Sequence, residues 1–135
     1  MALRGKIEIN SKTYDVVECA YDFHQSIDET GKPVSRPQGG TITFVIPATS
    51  DEDVFFYRWM FNKTEVHDGT FVFTVFVSDG KESYKTLEFT NAYCIAVKDY
   101  FNDNDSKLMY TTVTISAQTI TIGSNSLAEF SNEWT

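Results

Sequence analysis

The run TFVFTVFV, residues 70–77, places Phe71, Phe73, Val75 and Val77 on one side of an extended chain and Val72, Thr74 and Phe76 on the other. That period of two fits a β-strand and is incompatible with an amphipathic helix. It recurs along most of the sequence. In TITFVIP, Ile42, Phe44 and Ile46 alternate with Thr41, Thr43 and Val45. In KTLEFTNAYCIAVKDY, the apolar row is Leu87, Phe89, Tyr93, Ile95 and Val97, with Asn91 intruding. In LMYTTVTISAQTITI, Met109, Val113, Ile115 and Ala117 oppose Tyr110, Thr112, Thr114, Ser116 and Gln118. Each run has an apolar face and a Thr-rich face, the pattern of half-buried antiparallel strands.

Turn signals separate the runs. Asn10-Ser11 divides a first strand, about 3–9, from a second, about 13–23, and Asp68-Gly69 starts the strand that follows the helix described below. Asp79-Gly80 suits a tight hairpin because both residues tolerate positive φ. NDND, residues 102–105, reads as a polar hairpin loop. The strands flanking it exceed ten residues, which predicts bends or bulges.

Three segments depart from the alternation. HQSIDETGKPVSRPQGG, residues 24–40, carries two prolines, three glycines and charges of both signs, and reads as a long loop of functional length. The tail GSNSLAEFSNEWT is polar but holds Leu127, Phe130 and Trp134. SDEDVFFYRWMFN, residues 50–62, reads as a short helix, with Ser50 as N-cap, Asp53 completing an approximate capping box and Asn62 at the C-terminal end. Its apolar residues surround the axis: Val54, Tyr57 and Phe61 on one side, Phe56, Trp59 and Met60 on the other, and Phe55 between them. A helix that is apolar all round needs cover on both sides. One cover is the chain's own sheet. The second is either the long loop or tail, or another chain.

The fold class is therefore mainly β: a small antiparallel β-barrel over residues 1–135, with one short helix between the third and fourth strands and a long loop between the second and third. Closure deals with exposed strand edges. A chain of 135 residues buries enough surface to need no disulfide or metal staple. Cys19 and Cys94 accordingly read as buried free thiols.

The formal net charge of −8 argues against nucleic acid and against anionic membrane surfaces, since both attract Lys and Arg. No apolar run reaches the length of a membrane span, and MALRGKIEIN has no signal-peptide core. His24 and His67 belong to no metal-ligand pattern, HDG at 67–69 reads as a turn, and PQGGT precedes no helix that would cradle phosphate. No catalytic, cofactor or metal residue is assigned, and the chain reads as a non-enzyme.

The opening LRGKIEINSKTYDVVECAYDFHQSIDETGKPVSRPQGGTITFVI, the helix SDEDVFFYRWMFN and the later LEFTNAYCIAVKDYF together resemble the type VI secretion tube protein family, Hcp, in the form found in Bacteroidetes. GKPVSRPQGGTI is the most specific string of the resemblance, which covers essentially the whole chain. The resemblance implies a barrel protomer with a flanking helix, six of which form a ring with an open channel. Rings stack into a tube inside a contractile sheath, tipped by a spike, and contraction expels the tube with its effectors. It implies a cytoplasmic protein that leaves the cell without a cleaved signal, with a fold related to phage tail tubes. The residues matching the family's ring-stacking loop are Glu29, Lys32, Pro33, Arg36 and Pro37, with Lys32 and Arg36 as polar contacts. For the helix, Phe55, Phe56, Trp59 and Met60 are the expected subunit interface, and Val54, Tyr57 and Phe61 are expected to seal the barrel. The alternatives are a monomeric small-ligand carrier barrel and a phage tail tube-like protein.

Overall fold

The computed structural model describes residues 4–104, 109–123, 128–132 and 134, apart from the Phe76 side chain. Leu3, Asp105 and Leu127, which figured in the strand, loop and tail readings, lie outside the described residues. The strands are β1 (Gly5–Ile9), β2 (Lys12–Asp15), β3 (Glu18–Tyr21), β4 (Thr41–Pro47), β5 (His67–Ser78), β6 (Lys81–Phe101), β7 (Met109–Ser116), β8 (Thr119–Ile122) and β9 (Ala128–Ser131); the helix α1 (Phe55–Phe61) lies between β4 and β5. All pairings are antiparallel. The hydrogen-bonded path runs β2-β1-β5-β6-β7-β4-β3, with β8 beside β6 and β9 beside β8.

The expected second strand, 13–23, is two strands. At the junction the Val16 N–H donates to the Gly5 carbonyl and the Val17 N–H to the Val45 carbonyl, each at 2.9 Å. One side of this corner runs along β1 and the other along β4. The split moves the helix to between the fourth and fifth strands and the long loop to between the third and fourth. β2 and β3 end the path, and no ladder joins them among the described residues.

β6 spans 21 residues and serves two neighbourhoods. Its first half pairs with β5 and β8, its second with β7. The change falls at Asn91, whose φ is +51°. Its N–H donates to Asp68 Oδ1 and its amide to Gln118 Oε1, both at 2.8 Å. This kink shifts the inward set by one residue, from Leu87 and Phe89 to Ala92 and Cys94. A bulge between Cys94 and Ala96 then returns Val97 to the core. Tyr93 and Ile95 therefore leave the apolar row to which uninterrupted alternation assigns them. Similarly, β5 buries Phe71 and packs Phe73 partly, but Val75, at an irregularity between Thr74 and Phe76, and Val77 beyond it lie exposed. HDG begins β5 and does not form a separate turn; a second irregularity falls between His67 and Gly69.

Rows from both parts of the sheet meet in one core: Ile7, Phe71, Leu87 and Phe89 from one side, and Ile42, Phe44, Val113 and Ile115 from the other. Each such side chain contributes roughly 1.5–3 kcal/mol by leaving water. Phe44 and Phe71 meet edge-on at 5.1 Å between ring centres. The tight turns at Asn10-Ser11 (φ 54° and 63°) and Asp79-Gly80 (φ 53° and 75°) have the left-handed conformation their residues permit.

Candidate functional site

The helix has seven residues, too few to persist without tertiary support. Its support is aromatic. Phe55, Phe56 and Trp59 are buried at 4%, 2% and 0% exposure in the chain's own core. Phe56 lies 5.0 Å from the Tyr14 ring and 5.9 Å from Phe44. The Trp59 indole N–H donates to the Glu65 carbonyl at 3.0 Å, and the His67 ring meets Trp59 and Phe55 edge-on at 5.0 and 4.9 Å. His67 is in turn 2.6 Å from the Glu65 carboxylate.

Burial reverses the expected orientation of the helix. Phe55, Phe56 and Trp59 seal the core, with Met60 half-buried beside them, while Phe61 is 82% exposed and Val54 46%. Of the three residues expected to face inward, Val54 and Phe61 point at solvent, while Tyr57 is half-buried against Asp99. A seven-residue segment cannot be oriented from angular spacing alone when both of its sides are apolar. Its start also differs. Ser50 is not the N-cap: Ser50–Asp53 is a turn closed by the Asp53 N–H donating to the Ser50 carbonyl at 3.0 Å, and Val54 precedes the helix without a side-chain cap. Asp53 Oδ1 instead accepts the Phe55 N–H at 3.2 Å.

Two polar clusters fix the helix to the sheet. At its start, Asp53 Oδ2 accepts the Tyr14 hydroxyl at 2.8 Å and lies 3.3 Å from the Lys12 ammonium. Burial pushes the Asp53 carboxyl up, but the Tyr14 hydroxyl, the Phe55 N–H and Lys12 outweigh it and hold the carboxyl below its ordinary range. Burial, then the Asp53 carboxylate, raises the Tyr14 phenol. Further along, the Tyr57 hydroxyl donates to Asp99, 2.7 and 2.8 Å from its two oxygens, and the Thr111 hydroxyl donates to Asp99 at 2.6 Å. Tyr57 is raised by burial and then by Asp99.

The long loop is a built arm. Antiparallel bridges pair His24 with Gln38 and Ile27 with Pro33. Asp28 organises the tip: its Oδ1 accepts the Thr30 N–H at 2.9 Å, the Thr30 hydroxyl at 2.7 Å and the Lys32 N–H at 3.0 Å. These donors, the Thr30 hydroxyl first, hold the exposed Asp28 carboxyl below its ordinary range. Glu29, Lys32, Pro33, Arg36 and Pro37 are all exposed along this arm. The structure does not bring them near the helix set; they form a separate surface.

Two open grooves flank these features. One, of about 760 Å³, runs from Met60 and Lys63 at the helix end to Tyr93, Ile95 and Trp134. Trp134 lies 5.3 Å from the Tyr93 ring, so the tail supplies part of this wall and leaves Phe61 open. The other, of about 340 Å³, lies at the arm's base and is lined by Phe23, Pro37, Ile122 and Phe130. Phe61, Ile95 and Trp134 are the surface residues the sequence reading missed. The one available signal was Phe61 at the last helical position, where no following turn can cover it.

Among the described residues, no group of three or more His, Cys, Asp or Glu side chains is placed to hold a metal. Burial raises the Cys19 thiol to about 12 and the Cys94 thiol to about 11. The interior is filled by Trp59, Phe44, Phe71 and Phe89, which opposes the apolar cavity a carrier barrel requires. No described helix is long and apolar enough to cross a membrane.

The family model described as TssD, hemolysin coregulated protein Hcp (TssD), matches residues 1–135. The fold is similar to Hcp1 from Flavobacterium johnsoniae, with 29% identity and a TM-score of 0.80 over 96% of this chain and 100% of that one. Hcp1 from Salmonella typhimurium aligns with 14% identity and a TM-score of 0.68, over 90% of this chain and 86% of that one. A sheath-tube complex of an extracellular contractile injection system gives 16% identity and a TM-score of 0.54, over 91% and 90%. No curated protein sequence matches.

Proposed function

As the chain belongs to the Hcp (TssD) family, we propose that it is the structural tube subunit of a type VI secretion system. Six copies form a ring with an open channel, rings stack into the inner tube, and sheath contraction expels the tube with effectors in its lumen. Its partners are copies of itself and the sheath, spike and effector proteins. It is made in the cytoplasm as one domain over residues 1–135 and leaves without a cleaved signal. The protomer is a barrel in which the corner at Val16-Val17 joins the two ends of the strand path covalently, in place of a ladder. The Bacteroidetes-type form is the subgroup we assign, supported by 29% identity to the F. johnsoniae protein against 14% to the S. typhimurium one.

The observation that carries the reading is the match of the whole chain to the family. The surface supports it. Ile95 and Trp134, large apolar side chains 49% and 39% exposed, line an open groove, and Phe61 at the end of the helix is 82% exposed. Patches of this kind mark protein contacts. In the ring, the outer side of the helix, Val54 and Phe61 with the partly covered Met60, packs on a neighbouring subunit; Phe55, Phe56 and Trp59 support that side from within. Glu29, Lys32, Pro33, Arg36 and Pro37 on the arm serve ring stacking. A six-membered ring requires the subunit contact to be heterologous, between unlike patches, with a rotation that closes. Negative-stain images of the purified protein test this. Rings with a central hole are expected, and a field of compact particles of subunit size would overturn it.

A further inference from the structure

The side of the sheet turned away from the core carries a depression of about 440 Å³ lined by Val17, Glu18, Val45, Tyr100, Tyr110 and Thr112. The register places the strand members of this set on one face. Glu18 pairs with Val45 and Val45 with Thr112; in the next outward row Tyr110 pairs with Tyr100. Their sequence neighbours Phe44, Ile46, Thr111 and Val113 are buried, so alternation turns this set outward. The relief follows from side-chain length. Val45 and Thr112 are short and make the floor. Glu18, beside the corner residue Val17, stands on one flank, and Tyr100 and Tyr110 stand on the other. Glu18 and Tyr110 lie on strands two spacings apart, about 10 Å, a width suited to one cationic group.

The lining selects the class of ligand. Glu18 is exposed, and its carboxylate has no ion-pair partner among the described residues. An anion would be repelled by it and by a chain of net charge −8. A purely apolar group would cover the carboxylate without pairing it, which costs free energy. A hard metal ion needs several oxygen ligands, and no group of three or more His, Cys, Asp or Glu gathers among the described residues. Two tyrosines beside one carboxylate suit an organic cation, which pairs with the carboxylate while its alkyl or guanidinium surface lies against the rings. One exposed ion pair and one cation–π contact hold a free cation only weakly. The occupant is therefore a side chain on a partner that makes further contacts around the depression.

We propose that this depression anchors a lysine or arginine side chain of a partner protein, with Glu18 taking the charge and Tyr100 and Tyr110 the alkyl or guanidinium surface. All six lining residues belong to one copy, so the site is complete whether or not the chain assembles.

Methyl NMR of valine-labelled protein tests it, because Val17 and Val45 line the depression and Val113 lies in the core as an internal control. The probe is acetyl-Gly-Arg-Gly-amide at constant ionic strength, with acetyl-Gly-Gln-Gly-amide as the neutral match. The arginine peptide is expected to shift the Val17 and Val45 methyls saturably and to leave Val113 in place; the glutamine peptide should shift none of them. Glu18→Gln and Tyr100→Leu should each weaken binding at least three-fold, with the Val113 signal unchanged as a check on folding. Glu88→Gln, which removes an equal charge from an exposed position elsewhere on β6, should leave binding as it was. Shifts that fail to saturate, that the glutamine peptide reproduces, or that survive both Glu18→Gln and Tyr100→Leu would overturn the site. Tighter binding of tetramethylammonium than of the arginine peptide would overturn the partner side chain in favour of a free quaternary ammonium ligand.

Discussion

Replacing Trp59 by alanine should unfold the protein more readily and leave the assembly of what remains folded little changed. Trp59 is fully buried and packs 5.6 Å from Phe55 and 6.3 Å from Phe56, with His67 edge-on at 5.0 Å. Truncating a buried tryptophan costs about 3–5 kcal/mol through lost transfer energy and the cavity left behind. The Glu65 carbonyl also loses its donor, for a net cost of about 1 kcal/mol. For a chain of this size that corresponds to a fall in Tm of roughly 10–20 °C. Phe61→Ala is the matched control, because its side chain is 82% exposed and its removal should change stability by no more than about 0.5 kcal/mol. The assays are urea unfolding followed by tryptophan fluorescence or circular dichroism, and particle mass in the absence of urea. Phe61→Ala should keep the wild-type midpoint and lose oligomer. A Trp59→Ala protein with wild-type stability and lost oligomer, or a Phe61→Ala protein that unfolds early, would refute the assigned sides of the helix.

Asp53 gives a pH prediction. Its folded carboxyl titrates below the ordinary range, so its stabilisation is present above the unfolded value of about 3.9 and is lost as pH falls through the lower folded value. Asp53→Asn should be less stable at neutral pH and should show a shallower loss of stability on acidification below about pH 4, measured by urea midpoints across pH. Gly40 has φ +99°, and a Cβ there would meet the Ala117 carbonyl at 2.8 Å and crowd the Asn132 amide. Gly40→Ala should cost about 1–3 kcal/mol or more, read as a lowered denaturation midpoint. Cys19 and Cys94, their thiols raised to about 12 and 11 by burial, should react with Ellman's reagent at pH 8 far more slowly in the folded protein than in urea.

The strands were legible because half-buried sheets impose a period of two, and β4 shows it without interruption from Ile42 to Ile46. The corner at Val16-Val17 was not legible. Residues on either side keep strand-like composition, and the bend is fixed by carbonyls of Gly5 and Val45, distant in sequence. Asn91 was visible as an intruder in an apolar row, but its positive φ and the one-residue shift that follows depend on Asp68 and Gln118. The helix itself was legible. Its orientation was not, because both sides carry aromatic residues and only tertiary packing selects between them. The arm read as a loop because its pairing rests on two bridges and on the side chain of Asp28, with no hydrophobic alternation to signal it.

The most direct test of the central claim is the mass of the purified wild-type protein by multi-angle light scattering behind gel filtration, over a range of loading concentrations. The account predicts a species at six times the 15.3 kDa chain mass, or whole multiples of that ring. A single 15.3 kDa species at every concentration would contradict it.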